Sequence, residues 1–337
     1  MALALTQLEA ATNDLYLNTE PVDIKFIESV LGYYLVKNAI GNPEMAYDEY
    51  FVKPSDTLDG GKTIKVPLEY DESHRGSYGE NTVIERSKKD IANAAKFPWG
   101  GVVASNALGL QDQIENAGVN AIVKLADLYI KNVLKSAWKQ LAEAAIARTS
   151  GDDDAIKALI TDLFSTTTST EYGNIAEDDM ADWKANVNTD AAVIGYEFML
   201  KLHRTPGIGQ SMRKRPNLYI TTEELKDSYD ATLQTQQRFG QDQKLVDAGF
   251  DNLRFKGAVI CADEYITTNY TGYVLGLNMN YLKLKAHQDK NFTTPEWVAM
   301  KESGQPDHMY INTRWIGQLV CTNRKAHVMA TGVQEAD

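Results

Sequence analysis

The sequence predicts an α+β fold organised around one very long helix, and three observations carry that expectation. Residues Gln111 to Arg148 contain no proline and place apolar residues at helical spacing. Ile64, Val66, Leu68 and Tyr70 alternate with Lys65, Pro67 and Glu69, the two-residue period of a half-buried strand. Between Ala191 and Cys261 helical and strand-like stretches alternate, and from Leu282 onward the pattern is extended again.

The long helix would measure about 57 Å at 1.5 Å per residue. A compact chain of 337 residues has a radius of gyration near ~20 Å, so a flat or elongated subunit is expected. Its apolar residues form two overlapping stripes: Ile114, Ala117, Ala121, Leu125 and Leu128, then Ile130, Leu134, Ala137, Leu141 and Ala144. The stripes follow no heptad and lack flanking charge pairs, which disfavours a coiled coil. Gly118 stands inside this helix at a cost of about 1 kcal/mol relative to alanine, which either close packing or a bend would explain.

The chain carries 43% hydrophobic residues, enough for one large or two ordinary cores, and no apolar run approaches a membrane span. Met1, Ala2 and Leu3 open a terminus without the basic flank and apolar centre of a signal peptide, so folding in a cytoplasm is expected. Cys261 and Cys321 both sit in apolar runs and read as buried free thiols. A net charge of -12 argues against a protein that grips phosphate backbones, since such affinity comes from counterions displaced around Lys and Arg. A wall that merely encloses nucleic acid is compatible with it.

In chain order, residues 1 to 18 read as an arm that gains structure on contact with something else. A helix from Pro21 to Ile40 presents Ile24, Ile27, Leu31, Tyr34 and Leu35 on one face and must dock. The strand at Ile64 to Tyr70 is an edge strand because of Pro67. It leads through a tip, His74, Arg75, Gly76, Ser77, Tyr78 and Gly79, to an expected return strand at Asn81 to Arg86. That return strand offers only Val83 and Ile84 for burial, and an isolated hairpin is marginal in water, so it should lean on a surface outside its own subunit.

Past the long helix, three aspartates at Asp152 to Asp154 open a short helix through Phe164, better read as offsetting a helix dipole than as a calcium loop. The same holds for Glu177, Asp178 and Asp179 ahead of Trp183. Ala191 to Arg204 is an amphipathic helix carrying Ile194, Phe198 and Leu202. A loop from Thr205 to Pro216 contains the only tight basic cluster, Arg213, Lys214 and Arg215, which reads as a solvated tip or a local phosphate contact. Thr221 and Glu224 form a capping box, Gly249 ends a further helix, and strands are expected at Leu218 to Ile220, Leu253 to Cys261, Leu282 to His287, Tyr310 to Cys321 and Val328 to Val333.

Chemical motifs fail on inspection. Gly60, Gly61, Lys62 and Thr63 imitate a phosphate loop, but position 56 is Asp and a strand follows where a helix is needed. Gly207, Ile208 and Gly209 begin a dinucleotide pattern whose third glycine is Met212. His74, His203, His287, His308 and His327 show no metal-ligand spacing, and no nucleophile elbow occurs. No catalytic residue, metal or cofactor is expected; an α+β enzyme with a site assembled from distant residues is the rival reading.

Several segments carry a family resemblance. Tyr229, Asp230, Ala231, Thr232, Leu233 and Gln234, followed by Gln236, Gln237, Arg238 and Phe239, resemble a run found in major capsid proteins of tailed bacteriophages with the Hong Kong 97 fold. So do Ala248 to Gly257, and a closing stretch of Trp315 to Leu319, Thr322 to Lys325, Thr331 and Gly332. The order of arm, hairpin, long helix, α/β lobe and late strands is similar as well.

The resemblance implies an N-arm at 1-50, an extended β-hairpin loop at 51-106 and the spine helix of a peripheral domain at 107-150. It further implies an axial domain at 151-275, with residues 276-337 adding peripheral strands before returning to the axial domain. The function it implies is self-assembly as hexamers and pentamers into an icosahedral shell around double-stranded DNA, bound without sequence specificity. The tip His74 to Gly79 would clasp a neighbouring subunit, and Gly118 would be a hinge in the spine helix. A separate scaffolding protein and a portal are expected partners, a decoration protein is compatible, and no membrane is involved. The chain would reside in the virion after assembly in the host cytoplasm. An encapsulin-type nanocompartment shares the fold and is the alternative.

Overall fold

Two sheets, one helix laid across the first of them and a separate hairpin organise the chain. The computed structural model describes residues 29–32, 34–35, 57–69, 73–77, 79, 83, 87–109, 114, 125–148, 156–166, 171–176, 180, 183–207, 214–233, 252–293, 297–299 and 308–336. In order, the strands are β1 (Thr57–Leu58), β2 (Ile64–Glu69), β3 (Ala92–Phe97), β4 (Gly100–Gly109), β5 (Asn186–Asn188), β6 (Ala192–Val193), β7 (Leu218–Thr221) and β8 (Asn252–Phe255). They continue with β9 (Ala258–Ala262), β10 (Val274–Leu277), β11 (Leu282–His287), β12 (Val298–Ala299), β13 (His308–Cys321), β14 (Val328–Ala330) and β15 (Val333–Gln334). The helices are α1 (Leu125–Ile146), α2 (Tyr196–Arg204), α3 (Glu223–Leu233) and α4 (Glu264–Asn269).

The first sheet is centred on β13, which pairs antiparallel with β4 from His308 opposite Gly109 to Gly317 opposite Gly100. It also pairs with β11 and β12, and β1 joins β11 in parallel. In β11 the expected alternation holds: Leu282, Leu284 and Ala286 are buried while Lys283 is exposed. Helix α1 lies across β4 and β13. Val133, Ala137, Leu141 and Ala145 recur every four residues and are all buried, so they mark the stripe that faces the sheet. Leu134 and Ala144 flank it half-buried. Trp138 meets Phe292 at 5.8 Å between ring centroids, and Phe292 in turn faces the buried Trp315 at 6.5 Å. The helix ends at Ile146, two residues before the expected Arg148. Its expected first part, residues 111–113 and 115–124 with Gly118, lies outside the described residues.

The second sheet has six strands in the order β5-β14-β10-β7-β9-β8. Its central strands β7, β9, β10 and β14 bury both faces, and alternate residues serve different cores. Leu218, Ile220, Val259, Cys261, Leu275 and Met329 join a large cluster with α1. Tyr219, Ala258, Ile260, Val274, Val328 and Ala330 join a second cluster beneath α2 and α3, with Tyr229 and Phe255. Burial on both sides is why these strands read as continuous apolar runs.

Four sequence expectations are corrected. β2 pairs with β3, in the register Ile64 opposite Phe97 to Glu69 opposite Ala92, and of the return strand expected at 81 to 86 only Val83 is among the described residues. Ala95 and Phe97 are fully buried on the same face as Ile64 and Val66, whereas Val83 is 93% exposed and belongs to no strand. The run from Leu253 to Cys261 is two strands, because Lys256 and Gly257 take φ of 49° and 85° and close a tight hairpin. Helix α2 begins at Tyr196 because Ala192–Val193 pair with β15 instead. The cap of α3 is Thr222, whose hydroxyl accepts from the Leu225 backbone N–H at 3.3 Å, while the Thr221 hydroxyl donates to the Tyr273 carbonyl.

Of the helix expected from Pro21 to Ile40 only residues 29–32 and 34–35 are described; Ser29 is not helical, so the expected run is interrupted there, and the helical part from Val30 docks on its own subunit. Ser29 Oγ and the Val30 backbone N–H donate to one carboxylate oxygen of Asp263 at 2.8 and 3.0 Å, and Leu31 and Leu35 are buried. Asp263 is itself the N-cap of α4, accepting from the Tyr265 backbone N–H at 3.0 Å, so one carboxylate serves two helix starts.

Candidate assembly surfaces

The hairpin of β2 and β3 is tied to the body at its base. Lys96 N–H donates to the Gly173 carbonyl at 2.8 Å, and Phe97 meets Tyr172 edge-on with centroids 5.2 Å apart. Gly173 sits at φ 66°, and a methyl group there would lie 2.9 Å from Ala95 Cβ, so the approach requires glycine. Tyr172 stacks on Trp183, whose indole N–H donates to the Tyr172 carbonyl at 2.9 Å. The hairpin base therefore buries at home, while the described residues of its distal part are exposed. The cause is the Ala95 and Phe97 face of the return strand.

Arg324 holds this junction from below. It is fully buried and donates through Nε to the Leu163 carbonyl at 2.6 Å, through Nη1 to Trp183 at 3.3 Å and through Nη2 to Ser165 at 2.9 Å. Its guanidinium lies 5.4 Å from the Tyr172 ring centre. Gln318, also fully buried, donates to the Pro98 carbonyl at 2.9 Å and accepts from the Lys157 backbone N–H at 2.6 Å. It joins the end of the hairpin to the segment that follows α1. Asp162, 4% exposed, gathers Lys157 at 3.2 Å, Arg148 at 3.6 Å and the Ala158 N–H at 3.1 Å.

The distal hairpin is solvent-covered. His74, Arg75, Gly76, Ser77 and Gly79 are exposed, and Tyr78 lies outside the described residues. The His74 Nε2 and Ser87 Oγ atoms are 3.0 Å apart, and Lys88 pairs with Asp90 at 3.4 Å on a fully wet surface. Of the basic loop, Lys214 and Arg215 are half-buried at one end of the six-stranded sheet, and Arg213 lies outside the described residues. The Arg215 carbonyl accepts from Asn278 Nδ2 at 2.8 Å. Tip and basic loop thus belong to different sheets.

The titratable groups that are buried serve packing. His203 lies 3.0 Å from the Tyr219 hydroxyl, and burial, with the nearby charges of Arg215 and Lys256, lowers its pKa. His327 accepts the Asn278 backbone N–H at Nδ1, and burial pushes its pKa down to about 3. Burial raises the Cys321 thiol to about 12; Cys261 and Cys321 are both buried free cysteines, as their runs implied. Among the described residues no group of three or more His, Cys, Asp or Glu converges, and no helix is long and apolar enough to cross a membrane. Sequence reading did not single out Asp263, whose partner Ser29 lies 234 residues away, or Asp162, and it placed Gln318 in the closing run without its partner Pro98, 220 residues away.

No family model matches the chain, and no curated relative matches it. Solved structures do. The cyanophage A-1(L) capsid asymmetric unit matches with a TM-score of 0.65 over 94% of this chain and 97% of the other, at 12% identity. The capsid of a native GTA particle matches with a TM-score of 0.57 over 94% and 95%, at 9% identity. The chain has the Hong Kong 97-type capsid fold. The holo-SrpI encapsulin complex of Synechococcus elongatus PCC 7942 shares the capsid fold, with a TM-score of 0.57 over 100% and 99% of the two chains at 7% identity. In all three the likeness runs nearly end to end in both chains.

Proposed function

We propose that the chain is a major capsid protein of a tailed bacteriophage, without enzymatic activity, that assembles as hexamers and pentamers into an icosahedral shell around double-stranded DNA. The near end-to-end likeness to capsid subunits at TM-scores of 0.54 to 0.65 carries this reading. The exposed distal hairpin supports it: neighbours complete what a single subunit leaves uncovered, and many weak repeated contacts sum to a stable wall. Residues 1-50 serve as N-arm, 51-106 as extended loop, 107-150 as spine, 151-275 as axial domain and 276-337 as returning peripheral strands. In that division β1 and β4 anchor the loop at both ends in the five-stranded sheet. The tip His74 to Gly79 is the intersubunit clasp, and Gly118 is the bend in the spine.

Scaffolding protein and portal act as separate partners, a decoration protein is accommodated, and the DNA is enclosed without sequence readout. Assembly takes place in the host cytoplasm and the product is the virion. Electron microscopy and sedimentation of the purified protein test this: capsomers or closed shells are expected, and a strict monomer at high concentration with scaffolding protein present overturns it. The likeness to an encapsulin supports a second reading, a nanocompartment shell. Particles containing a cargo enzyme and no DNA would select it.

A further inference from the structure

Among the described residues three that are not glycine take positive φ, and two of them have a local reason. Asn174 follows Gly173 at the close approach to Ala95, and asparagine tolerates the left-handed region. Lys256 turns the tight hairpin between β8 and β9. The third is Phe292, at φ 52°, a bulky side chain for which that backbone is an outlier. It comes just past a 3-10 turn at Gln288–Lys290, where glycine or asparagine ordinarily takes the left-handed conformation.

The place of its ring accounts for the choice. Phe292 is 2% exposed, and its ring centre lies 5.8 Å from Trp138 of α1 and 6.5 Å from Trp315 of β13. Trp138 also meets the helix from Val30: a methyl group on Gly32 would lie 3.3 Å from its ring and 3.4 Å from Ala142 Cβ. At the sheet end the indole of Trp315 lies over the Gly317 backbone, where a methyl group would fall 2.6 Å from it. One column of rings thus joins the early helix, α1 and the five-stranded sheet. A second mark of strain lies in the same column, because Trp315 is fully buried and its indole N–H meets no acceptor among the protein's groups. A buried donor left unpaired costs free energy that ordinary packing avoids.

The strap of residues 288–293 is pinned at both ends. Thr293 exchanges backbone hydrogen bonds with Arg314 at 3.1 and 3.2 Å, and its hydroxyl donates to the Asp289 carbonyl at 2.8 Å. The Asp289 backbone N–H donates to His287 Nδ1 at 3.2 Å. The bridge to Arg314 is isolated and Thr293 is exposed, so that pin rests on two hydrogen bonds within reach of water. Strained backbone persists only where its surroundings over-determine it, and such positions gather at switches. Without the ring, α1 rests on the sheet through Val133, Ala137, Leu141 and Ala145, half of them alanines, which interlock little.

We propose that this strap is a releasable clamp. With Phe292 in the left-handed backbone, its ring locks α1 and the helix from Val30 in one seat on the five-stranded sheet. Relaxation of that backbone withdraws the ring, frees the pair to take a second seat and opens the Trp315 N–H to water. The use of two seats rests on the shell-building reading: one sequence that fills both pentamers and hexamers needs a subunit whose shape adjusts, and packed cores switch between discrete arrangements rather than deform continuously.

Hydrogen exchange, read by mass spectrometry on the purified protein before any assembly, tests the clamp. Phe292→Ala removes the ring and keeps the strain, so exchange along α1 and in the helix from Val30 should speed up by roughly a hundredfold, while β7, β9 and β10 keep wild-type rates. Phe292→Gly removes ring and strain together and should exchange roughly tenfold more slowly than Phe292→Ala, the reverse of the usual order of glycine and alanine. Should Phe292→Ala not fold, Phe292→Leu, which keeps the strain and a smaller apolar bulk, must show the same localised gain. Faster exchange spread equally over α1, β7, β9 and β10 would make Phe292 an ordinary core residue, and a glycine variant exchanging as fast as the alanine one would mean that no strain is held; either result overturns the clamp. Shells are imaged separately by electron microscopy. Phe292→Ala should build shells of mixed diameter, and uniform shells of wild-type size would overturn the clamp's part in fitting subunits to their places. If wild type builds no shells, the shell-building reading fails while exchange still decides the clamp.

Discussion

Replacing Arg324 by methionine removes the buried guanidinium while keeping most of its length. The wild-type side chain is fully buried and donates to four backbone carbonyls: Leu163 at 2.6 Å, Ser165 at 2.9 Å, Trp183 at 3.3 Å and Asp162 at 3.5 Å. Hydrogen bonds from charged donors each stabilise by about 1.5–3 kcal/mol, and only the two short ones earn the full value. The cation over Tyr172 adds about 1 kcal/mol. Against this stands the desolvation of a buried charge, several kcal/mol, which methionine avoids. The carbonyls left unpaired dominate the balance, at about 1–3 kcal/mol each, for a net loss of ~3–5 kcal/mol. In a chain of 337 residues that lowers Tm by roughly 4–7 °C. Thermal unfolding measures it, and hydrogen exchange should show lost protection at Leu159–Leu163 and at the Lys96 amide, which depends on Gly173 beside Tyr172. Arg324→Lys should fall between the two, since it keeps charge but not the fork. If Arg324→Met melts within about 1 kcal/mol of wild type, the carbonyls are satisfied without the guanidinium and the reasoning fails.

Because Glu69 faces Ala92 directly, replacing residues 70–91 by Asn-Gly should close β2 and β3 into a tight hairpin; the subunit should still fold, and shells of unchanged thermal stability would remove the clasp. His327 stays neutral in the fold down to about pH 3, while an unfolded chain protonates it near ~6.5. Stability should therefore fall as pH drops from about 6.5 toward 3, by up to several kcal/mol, and His327→Gln should flatten that limb of a denaturation-versus-pH series. Gly118→Ala should impair precursor shells and raise the melting temperature of expanded ones if the glycine is a bend, by about 1 kcal/mol per subunit; equal destabilisation of both forms would retire the hinge.

The sequence by itself determined which stretches are helix and which are strand wherever one face is buried and the other wet. Ile64, Val66 and Leu68, and Leu282, Leu284 and Ala286, were legible because solvent imposes the period directly on the residues, whereas of the stripe expected on α1 only Ala137 and Leu141 are fully buried, with Val133 and Ala145 completing it in place of Leu134 and Ala144. Tertiary structure alone decided the rest, because it depends on groups distant in sequence. Residues 92 to 97 became the return strand since Phe97 finds Tyr172 and Ala95 finds Gly173, some 75 residues on, and no local period announces that. Asp263 reaches back to Ser29, and Gln318 to Pro98, because buried polar groups must find partners wherever the fold brings them.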